Sequence, residues 1–334
     1  MPSMRDFKGR IGVITGAGTG MGRELARQLV AAGCHVALCD IVAENLDEAV
    51  RLCRQESSDP EVSGFVCDVA DENQVLRFRE HVREVHGTEH VNLLINNAGI
   101  SGGGSFIESS REEWERTFDI CWSGVYLMTR AFMPMLLKST EGRIVNMSSA
   151  NAIRAVLGGH IPHTAYSAAK FAVRGFSEAL IHDFRFNAPH LKVSVVMPGQ
   201  VGTEIITNSA RILGRNRPAD WTQEDIRDAR TRWDISGRLD HSAMDDAQVR
   251  AAGEQEIRDM RALGLSPAEA AAIILKGVRN DEWRILIGTD AESLDALVRE
   301  SPDTAYDPDF VVRWREANGS LIEANQAKSN RSGR

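Results

Sequence analysis

Ile11-Gly12-Val13-Ile14-Thr15-Gly16-Ala17-Gly18-Thr19-Gly20-Met21-Gly22 is the stretch on which the reading of this chain turns. Ile11 to Thr15 reads as a short buried strand, the glycines as a tight turn, and Gly20 to Ala32 as a helix stopped by Gly33. Glycines at such a junction let the main chain come close to a pyrophosphate. The free amides and the positive dipole end of the helix favour its charge. Any tight strand-to-helix turn uses similar residues, so the surrounding chain has to decide.

Outward from this stretch, β-branched runs alternate with amphipathic helices. His35 to Asp40 reads as a strand, Asn45 to Arg54 as a helix, Val62 to Asp68 as a strand, and Asp71 to His86 as a helix opened by a capping pair, Asp71 and Gln74. Val91 to Asn96 is a fourth strand, Glu112 to Leu137 one long helix, and Arg143 to Ser148 a fifth strand. A helix from Thr164 to about Asn187 and a strand from Val193 to Met197 follow, and the pattern returns later with a helix at Ser266 to Arg279 and a strand at Arg284 to Gly288. The alternation predicts an α/β fold with a doubly wound parallel sheet, ligands lying beyond the carboxyl ends of the strands.

Residues 1–302 read as one domain. Dense mixed charge with Trp221 and Trp233 marks 205–265 as a helical insertion, expected to form a lid over the substrate. Residues 303–334 read as a C-terminal extension whose end, ANQAKSNRSGR, has the composition of a flexible tail.

Of the 334 residues 43% are hydrophobic and 26% charged, which suits a chain that buries a large core. The net charge of -8 gives no uniform positive field, so nucleic acid is not expected as a partner. The five cysteines form no CxxC or Cys/His cluster, so neither a disulfide framework nor a metal site is expected, and a reducing cytoplasmic setting is. The opening MPSMRDFKGR carries no apolar leader, and no later run reads as long enough to cross a bilayer; no membrane association is expected.

Two sets of residues carry chemistry. Asp40, at the carboxyl end of the second strand, can accept hydrogen bonds from the hydroxyls of an adenosine ribose and would repel a 2′-phosphate. Its neighbour Ile41, and Thr19 in the glycine turn, are not basic, so NAD is favoured over NADP. Asp68 and Val69 can flank an adenine, the carboxylate taking its amino group and the valine packing on the ring. Tyr166 and Lys170, four residues apart, share one helix face, and a nearby ammonium favours phenolate over phenol. Alone, that spacing is common on any amphipathic helix.

The combination is not common. With the glycine turn at 15–22, Asn96-Asn97-Ala98-Gly99, Ser148-Ser149, the Tyr166/Lys170 pair and Pro198-Gly199, each at a strand end or helix start, the sequence resembles the classical short-chain dehydrogenase/reductase family over residues 8 to about 204. The resemblance is weaker at 266–302. It implies a Rossmann-type sheet of about seven strands, a homodimer or homotetramer, and a small-molecule substrate. In it Ser149 hydrogen-bonds the substrate oxygen, Tyr166 is the general base in oxidation and general acid in reduction, and Lys170 holds the nicotinamide ribose. Gly16, Thr19, Gly20, Met21 and Gly22 would cradle the pyrophosphate, and Asp40 and Ile41 would flank the ribose. Asn97, Ala98 and Gly99 would line the cofactor, Pro198 and Gly199 would let the chain pass the nicotinamide, and Val201 and Thr203 would contact its carboxamide end.

The chain departs from the family at Cys121, where an Asn is usual, and in the long loop ANAIRAVLGGHIPHTA between Ser149 and Tyr166. A thiol offers no carboxamide donor and acceptor, so the proton route from the lysine is expected to differ. The loop histidines His160 and His163 are read as having no catalytic duty. Ile153, Val156, Leu157 and Ile161, with Ile205, Ile206 and the insertion's tryptophans, suggest a bulky hydrophobic substrate. The leading expectation is an NAD-dependent oxidoreductase acting on a secondary alcohol or ketone. The alternatives are a catalytically impaired NAD-binding sensor or assembly subunit, suggested by Cys121, and a sugar epimerase or dehydratase of the extended relatives.

Overall fold

The computed structural model of the protein describes residues 4–157, 162–236 and 239–319. Seven parallel strands form one sheet in the order β3-β2-β1-β4-β5-β6-β7: β1 Ile11–Thr15, β2 His35–Asp40, β3 Val62–Val66, β4 Leu93–Asn96, β5 Gly142–Met147, β6 Leu191–Pro198 and β7 Arg284–Ile287. The central strands β1, β4 and β5 are buried along their whole length, which explains their near-continuous apolar runs.

Helices cover both faces. On one lie α1 (Gly20–Ala31), α2 (Ala43–Glu56) and, from the far end of the chain, α10 (Pro267–Arg279). On the other lie α3 (Glu72–Val85), α5 (Gly124–Leu137) and α6 (Thr164–Asn187), packed on Val13, Leu94 and Ile144. β1 pairs with β2 on one side and β4 on the other, so the winding reverses between β1 and β4. The crevice beyond their carboxyl ends is where such a sheet binds ligands.

The helix expected over Glu112 to Leu137 runs over Arg111–Leu137 with one irregular turn inside it. α4 (Arg111–Phe118) passes through one π-helical turn at Asp119–Ser123 into α5, and Cys121 lies in that turn. Arg111–Leu137 is, by length and composition, apolar enough to span a bilayer, against the reading that no such run exists. About half of that window (56%) is buried within the protein.

Residues 205–265 hold α7 (Ile205–Ile212), α8 (Gln223–Ser236) and α9 (Asp246–Ala262). α8 and α9 build a small core of their own around Ile226, Ala229, Trp233 and Val249, with Trp221 packed against it. The tryptophans therefore belong to the insertion's own packing and supply no substrate wall, contrary to the sequence reading. Past β7, α11 (Thr289–Glu300) leads into a helix over 310–319. Phe310 there is fully buried against Ile153, Val195 and Leu294, so the described part of the extension is packed on the domain. The segment ANQAKSNRSGR lies outside the described residues.

Candidate active site

The glycine turn is built by sterics. Gly16 has φ +60, and a Cβ on it would sit 2.8 Å from the Ala98 Cα. A Cβ on Gly22 would meet the Gly16 carbonyl oxygen at 2.2 Å. Thr15 Oγ1 accepts from the main-chain N–H groups of Asn97 and Ala98, both at 3.0 Å, and Asn97 Nδ2 donates to the carbonyls of Thr15 and Gly16. The turns after β1 and β4 are thus stitched together, and the Asn97 carboxamide acts as a brace. Asp40 is woven into the same turn: its Oδ2 accepts from Gly18 N and its Oδ1 from Val42 N, each at 2.9 Å. Burial pushes the Asp40 carboxyl up from its ordinary value, and these amides pull it part of the way back.

A cleft opens at this place, beyond the carboxyl ends of β1 and β4. Gly16, Thr19, Gly20, Met21, Asp40 and Ile41 line one wall, and Asp68, Val69, Asn97, Ala98, Gly99 and Thr203 the rest. Gly22 lies beneath the turn. Asp68 is not a lone carboxylate: its Oδ2 pairs with Arg116 at 2.6 Å and its Oδ1 accepts from Ala70 N. Arg116 also lines the cleft, so an adenine would meet an ion pair there. Arg116, Ile100, Ile120, Asn208 and Ile212 were not singled out from the sequence, because they sit on helices or loops without a motif of their own.

Pro198, Gly199 and Val201 shape the cleft without lining it. Gly199 donates its N–H to Ile287 O, and a Cβ on it would run into the Asp290 carboxylate at 2.2 Å. Val201 bridges to Leu265. Among the described residues of the insertion, only those of α7 line the cleft: Ile205, Asn208 and Ile212 do so, Asn208 Nδ2 donates to Thr19 Oγ1 at 2.9 Å, and Ser209 Oγ accepts from Ser101 N at 2.8 Å.

Of the side chains expected to do the chemistry, Lys170 reaches the cleft wall at Gly99, while Ser149, Tyr166 and Lys170 are not among the residues that line the cleft itself. Lys170, 4% exposed, donates to Met147 O at 2.8 Å and holds its Nζ 5.4 Å from the centroid of the Tyr166 ring. The two serines after β5 divide their work. Ser148 Oγ donates to Lys170 O at 2.8 Å and fastens α6, while Ser149 Oγ accepts from Asn151 N at 3.1 Å. His163, just before α6, sets its ring edge-on to Tyr166 with centroids 6.5 Å apart, and burial lowers its pKa, keeping it neutral. His160 and Ile161 lie outside the described residues. Ile153 is buried in the core shared with Phe310, and Leu157 packs on that core, so neither was a free substrate contact.

Cys121 Sγ donates to Ile100 O at 3.2 Å. A Cβ on Gly99 would lie at ordinary contact distance from both Lys170 and Cys121, 3.4 Å from Lys170 Nζ and 3.6 Å from Cys121 Sγ, so both side chains stand against this residue of the cleft wall. Among the described residues no group of three or more His, Cys, Asp or Glu side chains is placed to hold a metal ion.

The sequence profile of the short chain dehydrogenase family matches residues 10–212, which run from the glycine turn through the Tyr166/Lys170 helix to α7. The chain belongs to the short-chain dehydrogenase/reductase family. A Mycobacterium tuberculosis relative, SadH, whose name places it among the oxidoreductases, is 33% identical over 296 residues, covering 89% of this chain and 92% of its own. The human epidermal retinol dehydrogenase 2 is 32% identical over 195 residues, 58% of this chain and 61% of that protein. A short-chain dehydrogenase/reductase from Burkholderia phymatum, solved with NAD, superimposes with a TM-score of 0.72 at 28% identity over 91% of this chain and 98% of its own. A metagenomic member solved with NADP gives 0.51 at 28% identity, over 58% and 83%.

As a short-chain dehydrogenase/reductase the protein depends on the close approach at Gly22. Gly22→Ala drives a methyl group into main chain rather than into a movable side chain, and such overpacking costs about 1–3 kcal/mol. The variant is expected to unfold at lower temperature and to bind NAD(P)H at least about tenfold more weakly, the equivalent of about 1.4 kcal/mol. Thermal unfolding and a fluorescence titration check both.

Proposed function

We propose that the protein is an NAD-dependent oxidoreductase that interconverts a secondary alcohol and the corresponding ketone. The observation that carries the reading is the placement of Tyr166 and buried Lys170 one turn apart on α6, with Lys170 next to Gly99 of the cleft that Asp40 also lines. The glycine cradle and Asp40 suit a dinucleotide with free ribose hydroxyls: a carboxylate already under a desolvation cost gains from their donors, and no basic side chain stands at Thr19 or Ile41 to hold a 2′-phosphate. The NAD-bound Burkholderia neighbour supports the same choice.

When bound, the nicotinamide supplies or accepts the hydride. The chain's own residues handle the oxygen and its proton. In oxidation Tyr166 accepts the alcohol proton as phenolate, and in reduction it gives that proton to the forming alkoxide. Lys170 favours the phenolate, and Ser149 hydrogen-bonds the substrate oxygen where charge develops. Ile100, Ile120, Ile205 and Ile212 support an apolar substrate, and one relative is named for retinol, an apolar alcohol. Exposed apolar side chains on α5 and α6, among them Tyr126, Phe171 and Phe186, support a homodimer or homotetramer. Five unpaired, buried cysteines fit a reducing compartment such as the cytoplasm.

The test is turnover of NAD and of NADP with secondary alcohols of graded apolar bulk, followed by cofactor absorbance. Robust NAD reduction, rising with bulk, is expected. The competing reading, an impaired NAD-binding subunit, rests on Cys121, and Cys121→Asn separates the two. A buried Asn there must find partners in a space shaped for a thiol, so activity is expected to fall. A rise from near zero would favour the impaired subunit.

A further inference from the structure

We propose that the C-terminal segment 302–319 is a working part of the active site, holding through Arg154 and Trp314 the two loops that flank the reacting centre. This rests on the reading that Ser149 binds the substrate oxygen. The family match ends at residue 212, so the segment lies outside the part of the chain that carries the family's motifs.

Arg154 is five residues beyond Ser149 and only 7% exposed. Among the described residues it makes no ion pair with a carboxylate. Its guanidinium lies between two rings of the segment, 5.1 Å from the centroid of Tyr306 and 4.7 Å from that of Phe310. Its Nε donates to Ala305 O at 2.6 Å, and its Nη1 to Val156 O. A buried cation held by ring faces and carbonyls, with no counter-ion among the described residues, is a strut between two pieces of chain.

The strut reaches the catalytic serine through Ala155. Tyr306 Oη accepts from Ala155 N at 3.0 Å, while the Ala155 carbonyl accepts from Asn151 Nδ2 at 3.1 Å and from Ser167 Oγ. Asn151 N in turn donates to Ser149 Oγ. Ser167 follows Tyr166 on α6, so this one peptide joins the segment to both sides of the reacting centre.

A second contact holds the opposite loop. Trp314 Nε1 donates to Asp290 O at 3.0 Å and to Ser293 Oγ at 3.1 Å. Asp290 Oδ2 accepts from Gln200 N at 2.6 Å, fixing the turn that follows β6 at Gly199. Arg154, Tyr306 and Trp314 are therefore positioning residues, acting through Ser149 and the 199–204 turn.

Hydrogen exchange and a double-mutant cycle on the full chain test this. In Arg154→Met, which loses the charge-assisted bonds to Ala305 O and Val156 O, amides in peptides spanning 149–157 are expected to exchange at least about tenfold faster, with peptides of the glycine turn unchanged. Tyr306→Phe, at a side chain 63% exposed and so safe for folding, should move the same peptides by a smaller factor, about threefold. With a substrate turned over by the wild type, Arg154→Met should lower kcat about tenfold with little change in KM, and should add nothing in a Ser149→Ala background. Unchanged exchange at 149–157 in both variants overturns the proposal, as do equal losses with and without Ser149. Absence of any wild-type turnover would instead defeat the redox reading, and the exchange arm would still decide whether the segment holds the loop.

Discussion

Tyr166→Phe is expected to lower kcat by about 10²- to 10⁴-fold, the range by which a positioned acid/base accelerates proton transfer, with dinucleotide affinity unchanged. The substitution removes one oxygen from a half-buried ring that packs beside the π-turn side of the core. Lys170 keeps its bond to Met147 O, and Ser148 keeps α6 attached through Lys170 O, so the helix has no reason to move. What is lost is the hydroxyl proposed to exchange a proton with the substrate oxygen. A loss confined to kcat and to kcat/KM equally would mark an interaction made in the transition state. Turnover at the wild-type rate would mean that another group, with His163 the nearest candidate by its ring contact, handles the proton.

The fold was legible because it is written in repeated local signals. The strands at His35–Asp40 and Ile11–Thr15 and the helix Thr164–Asn187 have the bounds their apolar periods predict. Asp71 accepts from Gln74 N as the capping pair requires, although Gln74 Oε1 accepts from Asp68 N rather than from Asp71 N, while its Nε2 donates back to Asp71 Oδ2. The π-turn at Asp119–Ser123 was not legible, since an extra residue in a helical turn leaves the apolar pattern nearly intact. The role of Trp221 and Trp233 was misread for a related reason. Composition reports that a side chain seeks burial and is silent on which core takes it.

Within the site, the glycine turn, Asp40, Asp68 and Asn97 to Gly99 line one crevice because the sheet brings these strand ends to the same edge, whereas Ser149, Tyr166, Lys170 and Pro198 do not line it. Arg116 and Asn208 escaped because their contacts, to Asp68 and Thr19, join elements far apart in sequence. The same holds for Arg154: an arginine in a loop reads as solvated surface until Tyr306 and Phe310 close over it.

Asp40 carries the other large expectation, a change of cofactor. Asp40→Ala removes an acceptor for the ribose hydroxyls, and hydrogen bonds to a charged group are worth about 1.5–3 kcal/mol, so NAD affinity should fall about 10- to 100-fold. NADP should gain, because the carboxylate no longer faces the ≈ -2 charge of a 2′-phosphate, and the preference between the two should collapse. The alanine also strips the acceptors of Gly18 N and Val42 N, which would loosen the glycine turn for both cofactors alike. Asp40→Ser separates these effects: its hydroxyl can still take an amide of the turn, yet it brings no charge. If Asp40 selects by charge, the serine variant loses the preference while keeping tight overall binding. Acid provides a check without mutation. Burial raises the Asp40 carboxyl above its ordinary value, so its charge is lost as pH falls at a higher pH than for an exposed aspartate. Affinity for NAD should weaken on acidification from that higher pH, and the dependence should vanish in Asp40→Ser. An NAD-to-NADP affinity ratio unmoved by either variant would remove Asp40 as the selecting group and would turn attention to Arg116, the cation that lines the same end of the cleft.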